Sequence, residues 1–131
     1  MWRAHRLDVA LRDAWSSGSV LSGVSAGMVC WFSGGLTDSY GGLEPLNDGL
    51  ALIEGTACPH YGGDEERRRA FHRTIAERFG AGYAADDGAA LHFTGSALAE
   101  VVSSRPEAGA YRVEQAEGRI VETRLRVRFL G

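Results

Sequence analysis

Hydrophobic and polar positions change their spacing part-way along this chain. Leu7, Ala10, Leu11, Ala14 and Trp15 recur at helical intervals, with Arg3, Arg6, Arg12 and Asp13 off that stripe. The spacing predicts an amphipathic helix over residues 3–16, ended by Gly18. The apolar run 20–24 reads as a short buried strand, and residues 26–32 as a helix directly after it. Ser33-Gly34-Gly35 then leads into a loop carrying Asp38 and Tyr40. Residues 49–53 form a second strand candidate, which runs into 54–61. Asp64 opens a charged helix over 65–79. Beyond Gly80 the alternation turns strand-like at 82–85, 89–93 and 98–102. A closing hairpin pairs 111–114 with 119–129 across Ala116-Glu117-Gly118.

Helices and strands alternating first, with strands dominating later, predict an α/β fold whose mostly parallel sheet ends in an antiparallel edge. No repeat, low-complexity tract or linker interrupts the chain, so residues 1–131 are expected to form one domain. A sheet of this kind ordinarily has parallel strands before the first functional turn as well as after it. Here one helix and one short strand precede that turn, as if the chain began part-way through a domain.

Composition narrows the partners. A chain of 131 residues with 44% hydrophobic and 24% charged residues is ordinary for a globular protein. A net charge of −3 and a pI near 5.8 argue against nucleic acid or an anionic membrane as the main partner. All 14 basic residues are arginine, which a GC-rich coding bias explains better than chemistry. Two cysteines, Cys30 and Cys58, are too few for a disulfide framework and read as reduced thiols of a cytoplasmic protein. The first residues lack the apolar core of a signal peptide, and no stretch approaches the roughly 20 apolar residues of a membrane span.

The densest chemical signal is Gly23-Val24-Ser25-Ala26-Gly27, set between the strand candidate and the helix candidate. This is the layout of a nucleophile elbow, a sharp strand-to-helix turn that exposes a serine hydroxyl. With 18 glycines in the chain the pattern alone arises readily by chance; its context gives it weight. Glycines on both sides of the serine are expected where side chains would collide across a tight turn. The helix beginning at Ala26 would aim a free N–H at a developing oxyanion. A serine nucleophile also needs a base and an acid to orient it. His72, in the charged helix, reads as a solvated surface residue, His92 as a sheet residue, and His5 as polar-face. His60 differs, following Pro59 in a loop after a strand candidate, where parallel sheets collect active-site groups. Asp38 lies between serine and histidine in the chain, and Asp86 or Asp87, before Gly88, is the alternative acid. Cys58 with His60 offers too few ligands for a metal site, so neither metal nor cofactor is expected. Arg124, Arg126 and Arg128 on one strand face read as an exposed edge that discourages pairing.

The order Ser25, Asp38, His60 matches α/β-hydrolases, but 35 residues from serine to histidine is too compact for that fold. The compact arrangement resembles the peptidase E family of α-aspartyl dipeptidases. The Gly-x-Ser-Ala-Gly elbow, the Thr37-Asp38 pair, the Pro59-His60-Tyr61 run and the 86–91 segment carry the resemblance, which extends from about residue 7 to the C-terminus. It implies a flavodoxin-like, class I glutamine-amidotransferase-like three-layer sandwich. It also implies Ser25 as nucleophile, His60 as base, Asp38 as the orienting acid and the Ala26 N–H as an oxyanion donor. The substrate implied is a small peptide, a dipeptide with N-terminal aspartate. Arg67 would pair with the aspartyl carboxylate, a role suited to its planar fork, with Tyr61 beside it. Members of that family carry roughly another hundred residues before the first helix, among them a Gly-Gly-Asn loop that supplies a second oxyanion contact. The resemblance therefore covers only the C-terminal portion of the family's domain. The expected partners are accordingly a second copy of the chain or a missing N-terminal segment.

Overall fold

The computed structural model describes residues 2–131. Among them, the strands are β1 (Phe32–Thr37), β2 (Glu44–Leu46), β3 (Ile53–Cys58), β4 (Ala81–Ala85), β5 (Ala89–Thr94), β6 (Ala97–Ser103), β7 (Ala110–Ala116), β8 (Arg119–Arg124) and β9 (Val127–Phe129). The helices are α1 (Leu7–Ser16), α2 (Ala26–Val29) and α3 (Glu65–Thr74). The larger sheet has the order β2-β1-β3-β4-β7-β8, and a smaller one the order β5-β6-β9. The expected α/β class holds. Its parallel part is β1-β3-β4, flanked by antiparallel β2 on one side and by antiparallel β7 and β8 on the other.

Helices cover both faces of the larger sheet, and two adjacent glycines explain how closely. A Cβ at Gly35 would lie 2.4 Å from Val29 Cγ1 of α2, and one at Gly34 would lie 2.5 Å from the Phe79 ring on the other face. Because successive residues of a strand point to opposite faces, this pair lets α2 and the end of the α3 segment both approach β1. On the α3 face, Leu36, Cys58, Phe71, Ile75, Ala84 and Val113 form a buried cluster with Tyr61. On the α2 face, Val29, Phe32 and Ala57 form another.

Asp64 caps α3, its side chain accepting the Arg67 N–H at 2.9 Å. Glu65 and Glu66 in the first turn and His72 and Arg73 in the last suit the helix dipole. The segment continues through a wider turn, Ile75–Phe79, closed by Gly80 in the left-handed region. The long helix expected over 65–79 is thus present, with its last turn loosened.

Several expectations need correction. Residues 20–24 are not a strand: Val20 is 93% and Val24 83% exposed, and no strand among the described residues pairs with them. An apolar run becomes a strand only where a ladder receives its N–H and C=O groups. The helix expected over 26–32 stops at Val29 because Phe32 already enters β1, whose glycines made it read as a break. The strand expected at 49–53 begins only at Ile53; the N–H groups of residues 49–52 donate instead to the carbonyls of Ser33, Cys30, Phe32 and Trp31. At the other end β7 and β8 form the expected hairpin, but the chain then leaves it, and β9 pairs parallel with β6 in the smaller sheet. The first helix is also interrupted, at Arg6 with φ 57°, although Arg3 and Arg12 tie it down by donating to the carbonyls of Gly49 and Leu50.

The contact at Gly35 is open to test. Gly35→Ala forces α2 off the sheet, and Ala57 O, 2.7 Å from the new methyl, belongs to backbone that cannot yield. The variant is expected to lose about 1–3 kcal/mol, the scale of overpacking, measured by urea denaturation.

Candidate active site

Ser25 stands immediately before α2 with φ 57° and ψ −120°. An L residue holds such a conformation only when its surroundings impose it. Part of that imposition is visible at Gly23, where a Cβ would lie 2.1 Å from the Gly27 carbonyl oxygen. At Gly27 a Cβ would meet nothing within 4 Å. Of the two glycines expected on steric grounds, the first is required and the second faces open space. The N–H groups of Gly27 and Met28 turn back to the carbonyls of Val24 and Ser25, leaving the Ala26 N–H with no backbone acceptor among the described residues.

His60 follows β3 and also lies in the left-handed region, at φ 56°. Its Nε2 is 2.8 Å from Ser25 Oγ, across 35 residues of sequence. Its Nδ1 is 2.6 Å from Asp87 Oδ1. An ionised carboxylate only accepts, so the imidazole donates its Nδ1 proton to Asp87 and leaves Nε2 free to accept from the serine hydroxyl. Serine, histidine and carboxylate therefore form one continuous relay.

The carboxylate in that relay is not Asp38. Asp38 Oδ2 accepts from Arg67 Nη2 at 2.7 Å, and that hydrogen bond, with the guanidinium's charge, holds its carboxyl below the usual range. The reason lies in the sheet. Asp38 follows β1 and meets α3, whereas Asp87 follows β4, the parallel neighbour of β3, and meets the loop that carries His60. Chain order thus runs serine, histidine, aspartate. The sequence signal for Asp87 is its place in a turn after a strand candidate, where parallel sheets gather site residues. Asp86 is turned the other way, its Oδ2 accepting the Gly109 N–H at 2.8 Å.

Tyr61 also departs from expectation. Its side chain is fully buried, packed against Phe71 and Tyr111, and its hydroxyl donates to Glu122 Oε2 at 2.5 Å. Next to His60, it enters the core and lines neither of the two cavities beside Ser25. His72, expected in solvent, completes this cluster, its Nε2 lying 2.9 Å from Glu122 and 3.1 Å from the Tyr61 hydroxyl.

Arg67 does reach the site. It is only 7% exposed, pairs with Asp38, and lies 3.6 Å through Nε from Asp64. It lines a cavity of about 20 Å³ together with Ser25, Asp38 and His60. On the other side of Ser25 and His60 lies a far larger, mainly apolar cavity of about 680 Å³, walled by Val20, Val24, Met28, Trp31, Leu91 and Phe93. Cys58, buried beside Arg67, has its thiol pushed up to about 12 by burial, and Cys30 is pushed up to about 11 for the same reason. Neither is a nucleophile at neutral pH. Among the described residues, no three His, Cys, Asp or Glu side chains gather as metal ligands, and no helix is long and apolar enough to cross a membrane.

The sequence model of peptidase family S51 matches residues 1–101. The chain belongs to peptidase family S51. This bears out the resemblance read from the elbow and the Pro59-His60-Tyr61 run. All of this S51 chain also aligns with a protein named uncharacterized peptidase YgaJ from Bacillus subtilis strain 168, at 50% identity over 132 residues. It spans 57% of that relative's length. No solved structure matches this S51 chain.

The Tyr61 cluster supports the loop without touching the cavities, which separates stability from binding. Tyr61→Phe keeps the ring but removes the donor to half-buried Glu122. It should cost about 1.5–3 kcal/mol, the scale of one lost hydrogen bond to a charged group. Urea denaturation measures the loss, and ligand affinity should stay unchanged.

Proposed function

We propose that this chain carries the active site of a serine-type peptidase that hydrolyses short peptides, in particular dipeptides with N-terminal aspartate. The observation that carries the reading is the Ser25–His60–Asp87 relay, with hydrogen bonds of 2.8 and 2.6 Å. Membership of a peptidase family supports it.

The chemistry follows from the atoms. Ser25 Oγ attacks the scissile carbonyl while its proton passes to His60 Nε2. Asp87, bound to Nδ1, stabilises the imidazolium and keeps the ring oriented. The Ala26 N–H faces the oxyanion that forms. His60 returns the proton to the departing amine, leaving an acyl-enzyme. The imidazole then deprotonates a water that attacks the ester, releasing the acid and the free serine. Arg67 pairs with the carboxylate of the N-terminal aspartate, because a carboxylate drawn out of water needs a cation. With both cysteines unpaired, the chain fits a reducing cytoplasm.

A second reading comes from the wide apolar cavity beside Ser25 in a chain that spans 57% of its relative. In that reading the chain is an interaction module that retains the fold without catalysis, bound to a second copy or to further polypeptide. Purified chain assayed against an Asp-X dipeptide series, with Ser25→Ala as control, separates the two. Hydrolysis abolished by Ser25→Ala supports the peptidase. No hydrolysis, together with a defined oligomer, supports the module.

For the relay, Ser25→Ala and His60→Ala should each remove most activity. Asp87→Asn should keep the fold and slow turnover by up to about 10⁴-fold, the loss that misorientation of a triad histidine causes in serine proteases. Near-normal turnover in Asp87→Asn would sink the assignment of the acid. Arg67→Ala should lower kcat/KM for Asp-X dipeptides by about 2–3 kcal/mol of transition-state binding, and far less for a neutral N-terminal residue. An equal loss on both would make Arg67 a support of the fold alone.

A further inference from the structure

We propose that Asp38 is a built-in competitor for Arg67. Its carboxylate occupies the guanidinium that an acidic ligand group would take, and it must swing away before that group can bind. The inference rests on the proposed role of Arg67 and adds a gate to it.

Space makes the argument. The cavity that joins Ser25 and His60 to Arg67 measures about 20 Å³ and is lined by Asp38 itself. That volume holds about one water molecule, and the Arg67 Nη2 beside it is already taken by Asp38 Oδ2 at 2.7 Å. A substrate carboxylate reaching for Arg67 from Ser25 therefore meets Asp38 already on Nη2. Arg67 is poised for another acceptor all the same. Its side chain is 8% exposed, and its buried Nε lacks a hydrogen-bond partner, Asp64 Oδ2 lying 3.6 Å away. A buried guanidinium donor without an acceptor is costly. A carboxylate bound across Nε and Nη2 would satisfy both nitrogens.

Asp38 is built to leave. Its side chain is 63% exposed, so its pairing with Arg67 is well screened by water and weak. It sits beyond the end of β1, in a turn held by the Ser39 N–H donating to Thr37 Oγ1 at 3.2 Å and by a long Gly41 N–H to Asp38 carbonyl contact of 3.4 Å. Gly41 has φ 96°, and a Cβ at Gly41 or Gly42 would meet nothing within 4 Å. A turn with two unhindered glycines changes its dihedrals at little steric cost. The pairing gives Arg67 Nη2 an acceptor in the absence of ligand, while Asp64 stays beside Nε at 3.6 Å.

The test uses the full chain with free L-aspartate as ligand and L-asparagine as its neutral control, measured by titration calorimetry. Asp38→Asn, close in shape and mostly in solvent, should fold as the parent does and bind L-aspartate about 5–10-fold more tightly, with L-asparagine unchanged. Asp38→Ala should do the same. The Arg67 Nε–H resonance should shift on adding L-aspartate, and at lower ligand concentration in Asp38→Asn than in the parent. Weaker or unchanged L-aspartate binding in both Asp38 variants would overturn the gate, as would absence of binding in parent and variants alike. The role of Arg67 is tested apart from the gate. If Arg67→Ala binds L-aspartate as well as the parent, the proposed subsite fails, whatever Asp38 does.

Discussion

The parallel register of β3 against β4 is the constraint on which the site depends. Thr56, Ala57 and Cys58 lie opposite Gly82, Tyr83 and Ala84, so the two strands end side by side. The residues that follow, Pro59-His60-Tyr61 and Asp86-Asp87-Gly88, then emerge together at one edge. The Tyr61 N–H donates to the Ala85 carbonyl at 3.0 Å and stitches the two loops to each other. From that stitch, His60 and Asp87 face each other without either loop having to be long.

The two residues of the relay that carry the strain are Ser25 and His60, both at positive φ. Such conformations cost about 1–3 kcal/mol each and persist where the neighbourhood over-determines them. For His60 the neighbourhood is explicit. Pro59 stiffens the backbone before it, and Tyr61 after it is locked into the core by Phe71, Tyr111 and Glu122. Glu122 belongs to β8, so the far hairpin of the sheet helps to hold the histidine loop. For Ser25 the close approach at Gly23 plays the same part, but of residues 19–24 before it all except Leu21 are exposed. The serine side of the relay is thus supported by less of the protein than the histidine side.

The surroundings of Ser25 and His60 are unequal in a way that matters for recognition. One flank is small and charged, with Arg67 paired to Asp38. The other is wide and mainly apolar, bordered by Trp31, Phe93 and the exposed Val24. A group carrying charge gains on the first flank, where a buried cation awaits it. An apolar side chain or strand gains on the second, where water contacts unpaired hydrophobic surface.

Much of this was legible in the residues alone. The amphipathic stripe of α1, the capped and charged α3, the alternation of β4 to β6 and the β7–β8 turn all follow from local spacing and turn chemistry. So does the prominence of Ser25 and His60, since an elbow and a strand-end loop are local patterns. What local pattern could not decide was anything set by neighbours distant in sequence. Apolar 20–24 fail to become a strand because no partner ladder reaches them, and Ser33-Gly34-Gly35 becomes one because β3 does. Asp38 and Asp87 have equal chemistry, and nothing in the chain between them says which meets His60. The sheet order decides it, bringing the end of β4 to the end of β3 and leaving Asp38, at the end of β1, to Arg67. Tyr61 and Gly27 teach the same lesson from the side of sterics. A residue's type announces what it can do, but only the packing around it determines whether it faces the core, the cavity or open solvent.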